Sequence, residues 1–190
     1  MKANDINLGS IVKEINKEAD NIHGTTKEGR VGKHTGACAV DIIKEKLENI
    51  DEIKASAEIH EEFFVEGFNA QFDLLMVKKG AKKITHRCFK PDDVLVAFEI
   101  KYYGFFSHSL KENGERSDRL MSEFFNNCID HFSEINKKYS NIHCIYITIK
   151  ENESWRELYS QHQDIAFCLS WGEWERLIDR LKSILMTVRA

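Results

Sequence analysis

Proline, long apolar stretches and surplus positive charge are all scarce in this chain. Pro91 is the only proline and sits in a polar loop. No apolar run reaches ten residues, whereas a membrane-spanning helix needs about 20, so no span is expected. Met1 to Lys17 lacks the apolar stretch of a signal peptide. The formal net charge of −4 argues against a passive basic coat for nucleic acid. It leaves room for a local basic groove on an otherwise acidic protein. The five cysteines (Cys38, Cys88, Cys128, Cys144 and Cys168) are scattered, with no CxxC pair. Reduced thiols in a cytoplasmic protein are the natural expectation. His86 and Cys88 are two ligands only, which do not make a zinc site. No internal repeat or low-complexity segment is present.

What the chain does have is a sizeable apolar fraction, 42% of 190 residues, beside 31% charged residues. That composition suits one globular domain over 1–190, with a core over about 36–150. The pattern predicts a helix over Ile6 to Ala19, then a polar loop over Asn21 to Thr35. A second helix follows from about Gly36 to Ile50, with Ala39, Ile42, Ile43, Leu47 and Ile50 as its stripe. Strands are predicted over Ala57 to Val65, Gln71 to Val77 and Val94 to Tyr102. The turn Gly67-Phe68-Asn69 makes the first two a hairpin. A helix from about Ser117 to Ile135, a strong strand over Ile142 to Ile149 and a weaker one over Ile165 to Leu169 come next. Ser170 and Glu173 read as the capping box of a final helix. The order contains αβββαβ, an α/β layout with a mixed sheet flanked by helices. An extra N-terminal helix precedes it, and a strand-helix extension follows.

Two of these strands carry charge inside apolar runs. Asp73 stands in Phe72-Asp73-Leu74-Leu75-Met76-Val77. Glu99 and Lys101 stand at the end of Val94-Leu95-Val96-Ala97-Phe98-Glu99-Ile100-Lys101. A charge beside a core is costly unless it is paired or holds a metal. Strand residues two apart share a face, so Glu99 and Lys101 emerge together and Asp73 can join them from a neighbouring strand. Two carboxylates and an ammonium suffice to bind Mg²⁺ and activate water against a phosphodiester. The plain alternative is an ordinary same-face ion pair on a strand. A second Glu-x-Lys, Glu52-Ile53-Lys54, has no buried run before it and no Asp-bearing strand upstream.

This order, with Asp on the second strand and Glu-x-Lys on the third, resembles the PD-(D/E)XK nuclease superfamily, whose fold is restriction-endonuclease-like. The pattern Gly36, Asp41, Gln71-Phe72-Asp73, Pro91-Asp92-Asp93-Val94 and Ala97-Phe98-Glu99-Ile100-Lys101 is similar to that of NucC-type anti-phage effector nucleases. It covers about residues 25 to 150. The helix acid is Asp41, where that pattern has Glu.

The resemblance implies a Mg²⁺-dependent endonuclease, with Mn²⁺ able to substitute. Its metal ligands would be Asp73, Glu99 and the Ile100 backbone carbonyl, with Asp41 (or Glu45, one turn on) as a further candidate. Lys101 would orient or deprotonate the attacking water, or neutralise the developing charge. The substrate class implied is double-stranded DNA, in restriction or anti-phage defence. Cutting both strands with single-site subunits calls for a homodimer or larger homo-oligomer. A cyclic nucleotide activator is implied if the likeness reaches regulation. Lys33, before a helix N-terminus, and Lys78 and Lys79, in the densest basic segment, are candidate DNA-phosphate contacts. Both segments read equally as solvated surface. The rival readings are an RNase or nickase of the same fold, and an inactive nuclease-fold binding module.

Overall fold

The computed structural model describes residues 13, 14, 17, 31–103, 114–151 and 155–189. The helix expected over Ile6 to Ala19 lies outside them, apart from Lys13, Glu14 and Lys17, which are helical.

Helix α1 spans Val31–Glu48. It begins before the expected Gly36 boundary, so Gly36 is interior and Lys33 is helical rather than in a loop. An interior glycine costs only about 1 kcal/mol. The buried stripe of Ala39, Ile42, Ile43 and Leu47 outweighs that. A short helix α2, Asp51–Ser56, follows and buries Ile53. Six residues are too few to show a helical period, which is why sequence pattern misses it.

Strands β1, Ala57–Val65, and β2, Gln71–Lys78, form the expected antiparallel hairpin. Gly67 takes a left-handed φ of +81° at its turn. The polar segment after β2, expected as loop, holds two short strands: β3, Lys83–Thr85, and β4, Cys88–Phe89. A 3-10 turn over Pro91–Asp93 then leads into β5, Val94–Tyr103. The remaining elements are α3 (Gly114–Lys138), β6 (His143–Lys150), α4 (Arg156–Ser160), β7 (Ala166–Cys168) and α5 (Trp174–Arg189). No helix among the described residues is long and apolar enough to cross a membrane.

The seven strands form one mixed sheet in the order β3-β4-β1-β2-β5-β6-β7. Pairing is antiparallel for β1–β2 and β2–β5, and parallel for β5–β6 and β6–β7. The αβββαβ run is α1, β1, β2, β5, α3, β6, with β3 and β4 inserted between its second and third strands.

Alternation along the strands divides the core in two. On one face, Leu74, Met76, Phe98, Ile100, Ile145 and Ile147 pack with α1, α2 and α5. On the other, Leu75, Val77, Ala97, Cys144 and Tyr146 pack with Phe125, Ile129, Phe132 and Ile135 of α3. Each large apolar side chain so buried contributes about 1.5–3 kcal/mol.

The capping box expected at Ser170 and Glu173 does not form. Ser170 lies in a 3-10 turn, Leu169–Trp171, and Gly172 at φ +80° separates that turn from α5. The Glu173 carboxylate instead accepts the Cys168 amide at 2.5 Å and pairs with Arg176 at 2.6 Å.

Candidate active site

Asp73 and Glu99 meet because β2 and β5 are adjacent and antiparallel. Their register runs Met76–Val96, Leu75–Ala97, Leu74–Phe98 and ends there. The next residues along it are Asp73 and Glu99. Beyond Leu74 the ladder is replaced by a side chain: the Ile100 amide donates to Asp73 Oδ2 at 2.7 Å. The two strands therefore fork at Asp73, while β5 stays paired to β6 as far as Tyr103. The N–H and C=O of a strand residue point to the same edge. The Ile100 carbonyl thus faces the fork, as its amide does.

Lys101 closes the group. Its Nζ donates to Asp73 Oδ2 at 3.4 Å and is bonded to Glu99 Oε1. The side chains of Asp73, Glu99 and Lys101 remain 31%, 22% and 29% exposed. They are sheltered enough to strengthen their charges and open enough for a substrate to reach. Glu99 and Lys101 alternate with Phe98 and Ile100, so they stand on the α3 face of the sheet.

Electrostatics separate the two partners of the ion pair. Burial, then the negative charge of Asp73, pushes the Glu99 carboxyl above its ordinary range, against the pull of Lys101. Lys101 moves up as well: burial opposes its charge, but Glu99 and Asp73 together outweigh it. Lys101 is thus firmly cationic and Glu99 reluctantly anionic.

The opposite edge of Asp73 is also distorted. Glu62 falls opposite it in β1, between the pairs Glu61–Leu74 and Phe63–Phe72. Glu62 is the one non-glycine residue with positive φ (55°) among the described residues. The flip breaks alternation, so His60 and Phe63 both meet Phe89, at 4.9 and 5.2 Å between rings. Arg87 holds the Glu62 carboxylate at 2.9 Å. Irregular strand geometry of this kind re-aims side chains beside sites.

The structure brings together Asp73, Glu99, Lys101 and the Ile100 backbone, and no other candidate. Asp41 is exposed on α1, whose stripe packs across the sheet, and its charge acts on Lys44. Among the described residues no third His, Cys, Asp or Glu completes a metal set with the two carboxylates, so Asp41 and Glu45 are not brought to them. Lys78 lies five residues along β2 from Asp73, about 17 Å at ~3.4 Å per residue. Lys79 turns to α2 and donates to the Lys54 carbonyl at 3.0 Å. Lys33 is in the first turn of α1; its side chain lies outside the described residues.

Two residues on α3 face the site without having been singled out from sequence. Burial and then the Glu99 charge push the Cys128 thiol well up, and the charge of His131 pulls Glu99 down. Cys128 reads as part of an apolar stripe, and His131 lies three residues on, hence on the same helix face. A histidine at stripe spacing was the available signal.

The donor set suits a hard divalent cation. Two partly buried carboxylates repel one another, as the rise in Glu99 records, and a cation between them relieves that repulsion. The two carboxylates and the Ile100 carbonyl offer oxygens, the ligand type Mg²⁺ takes.

No family model matches the chain, and no curated protein matches it in sequence. Solved structures align with part of it, two of them forms of NucC. The cAAA-bound form of NucC from E. coli MS115-1 aligns over 77% of this chain and 63% of its own, at 12% identity and a TM-score of 0.46. The cAAA-bound form of NucC from P. aeruginosa ATCC27853 aligns over 50% and 41%, at 13% identity and a TM-score of 0.38. The chain thus spans less than two thirds of the length of either. These alignments compare the course of the backbone, and the chemistry rests on the residues above.

Proposed function

We propose that the protein is a Mg²⁺-dependent endonuclease that hydrolyses phosphodiester bonds of double-stranded DNA. The observation that carries this reading is the fork at Asp73, where Asp73, Glu99 and Lys101 converge as the β2–β5 ladder ends. Asp73, Glu99 and the Ile100 carbonyl would hold the cation. A bound Mg²⁺ supplies Lewis-acid activation of water and of the phosphate. Asp73 also fixes the β5 backbone through the Ile100 amide, so the donors are held by a strand rather than a loop. Lys101 is held protonated by two carboxylates, which suits it to neutralise charge growing on the phosphate rather than to take a proton.

Restriction or anti-phage defence is the setting this reading proposes. Cleavage of both strands then requires a symmetric homo-oligomer, and a cyclic oligonucleotide is the activator to try first.

The test is cleavage of supercoiled plasmid with Mg²⁺, with EDTA, and by Lys101→Ala, each with and without cyclic oligonucleotides. Metal-dependent linearisation that vanishes in the variant supports the reading. Cleavage of RNA alone moves it to an RNase, and nicking without linearisation to a nickase. No cleavage on any substrate, with no Mg²⁺ or Mn²⁺ binding by calorimetry, leaves a binding module built on the same fold.

A further inference from the structure

Helix α3 lies over the sheet face that carries Glu99 and Lys101, and among its described side chains one buried polar atom is unaccounted for. His131 is half-buried. Its ring stands 6.5 Å from Phe72, the neighbour of Asp73, and 6.0 Å edge-on from Phe68. Yet its Nε2 is buried and has no hydrogen-bond partner. A buried nitrogen left in that state is destabilising, and in native proteins it calls for a water, an ion or a functional role. Simple packing does not explain the choice of residue, because a phenylalanine would make the same ring contacts without the orphaned atom.

The neighbouring charge supplies the explanation. His131 is near enough to Glu99 to pull its carboxyl down electrostatically. Glu99 is bonded to Lys101 through Oε1, and its other oxygen is a second acceptor on the same carboxylate. Cys128, one turn before His131, senses Glu99, Lys101 and Asp73 alike, so this edge of α3 lines the site. A water needs two or more polar partners to be held in such a place. The imidazole nitrogen and the second carboxylate oxygen are two.

We propose that His131 is a positioning residue of the site: its Nε2 hydrogen-bonds an ordered water that also meets the Glu99 carboxylate, so that α3 sets the orientation of Glu99 toward a divalent cation. This rests on the metal-binding reading above. Residues that orient a ligating carboxylate change metal affinity or activity by roughly 10- to 100-fold when removed.

The experiment compares wild type with His131→Phe and His131→Gln by calorimetric titration with Mn²⁺ and by thermal melting without metal. His131→Phe keeps the ring contacts and deletes both nitrogens. It should bind Mn²⁺ at least ~10-fold more weakly, with a melting temperature no lower than wild type. His131→Gln restores a polar group at similar reach and should recover most of the affinity. Equal Mn²⁺ affinity for wild type and His131→Phe overturns the inference alone. So does a Gln variant as weak as the Phe variant, or affinity that falls only in step with melting temperature. A wild type that binds no divalent cation overturns the metal reading and this inference with it. If His131→Phe does not fold, His131→Leu carries the same comparison.

Discussion

Asp73 Oδ2 accepts the amide of Ile100 at 2.7 Å, in the place where the β2–β5 ladder would otherwise supply a main-chain carbonyl. One carboxylate thus ends a ladder and is also the proposed metal ligand, and the two roles separate by mutation. Asp73→Asn keeps an oxygen for the amide and loses the charge. It should fold with little loss of stability and bind Mn²⁺ far more weakly. Asp73→Ala also orphans the Ile100 amide, and should cost a further ~1–3 kcal/mol in denaturant unfolding.

Glu99 has a pH signature in the metal-free protein. Burial and Asp73 raise its folded pKa above the unfolded value. Its contribution to stability is therefore fully present below the unfolded pKa and is lost as pH rises through the folded one. Glu99→Gln removes that loss. Without metal it should melt above wild type at neutral pH, and the gap should close as the pH falls below the ordinary glutamate range. A gap that widens in acid would contradict the sign.

Lys101 is the charge most exposed to test by activity. Lys101→Ala should lower cleavage by roughly 10²–10³-fold, the scale of losing one preorganised charge or donor. Its folded pKa is raised by Glu99 and Asp73, so its stabilising contribution persists at neutral pH and is lost only as alkaline pH passes that value. Were Lys101 the base, cleavage would instead keep rising with pH up to that same alkaline value, as the amine loses its proton.

Lys78 and Lys79 stand at the other end of β2, and Lys79 turns toward α2. The double change Lys78→Ala with Lys79→Ala should leave cleavage at saturating substrate within about twofold, a surface-scale perturbation. A loss comparable to that of Lys101→Ala would place the substrate along the whole strand.

Gly67 is required by geometry on two counts. Its φ is +81°, and a Cβ there would meet Tyr139 Oη at 2.7 Å. Gly67→Ala should destabilise by at least ~1–2 kcal/mol for the left-handed conformation alone, measured by urea unfolding.

Much of this arrangement was legible in the sequence, for a physical reason. Asp73, Glu99 and Lys101 interrupt runs that are otherwise buried, and period-2 alternation puts Glu99 and Lys101 on one face that Asp73 can join from a neighbouring strand. The strand bounds followed from the apolar runs themselves: β1 matches its expected range and β2 and β5 differ by one residue at the end. Elements too short to show a period did not appear: α2, α4, β3 and β4. Gly36 misled in the other direction, because a glycine inside a helix costs less than the stripe beside it returns. Asp41 looked like a ligand by position in the order, but helix facing depends on which side of the sheet α1 packs, and a one-dimensional pattern does not contain that. His131 was hidden because its meaning lies in an unpaired atom, which only the packing of α3 reveals.

The strand order carries one last consequence. Both margins of the sheet are strands of three residues, β3 with its exposed Lys83 on one side and β7 on the other. Margins that short, one of them charged and the other buried, are poor templates for a second copy to extend the sheet. Copies of this chain that work as a pair would then be joined through helices or loops, with no continuous sheet running between them. In the proposed endonuclease, the spacing of two paired cuts on a duplex, and hence the overhang they leave, would be set by how those helices dock.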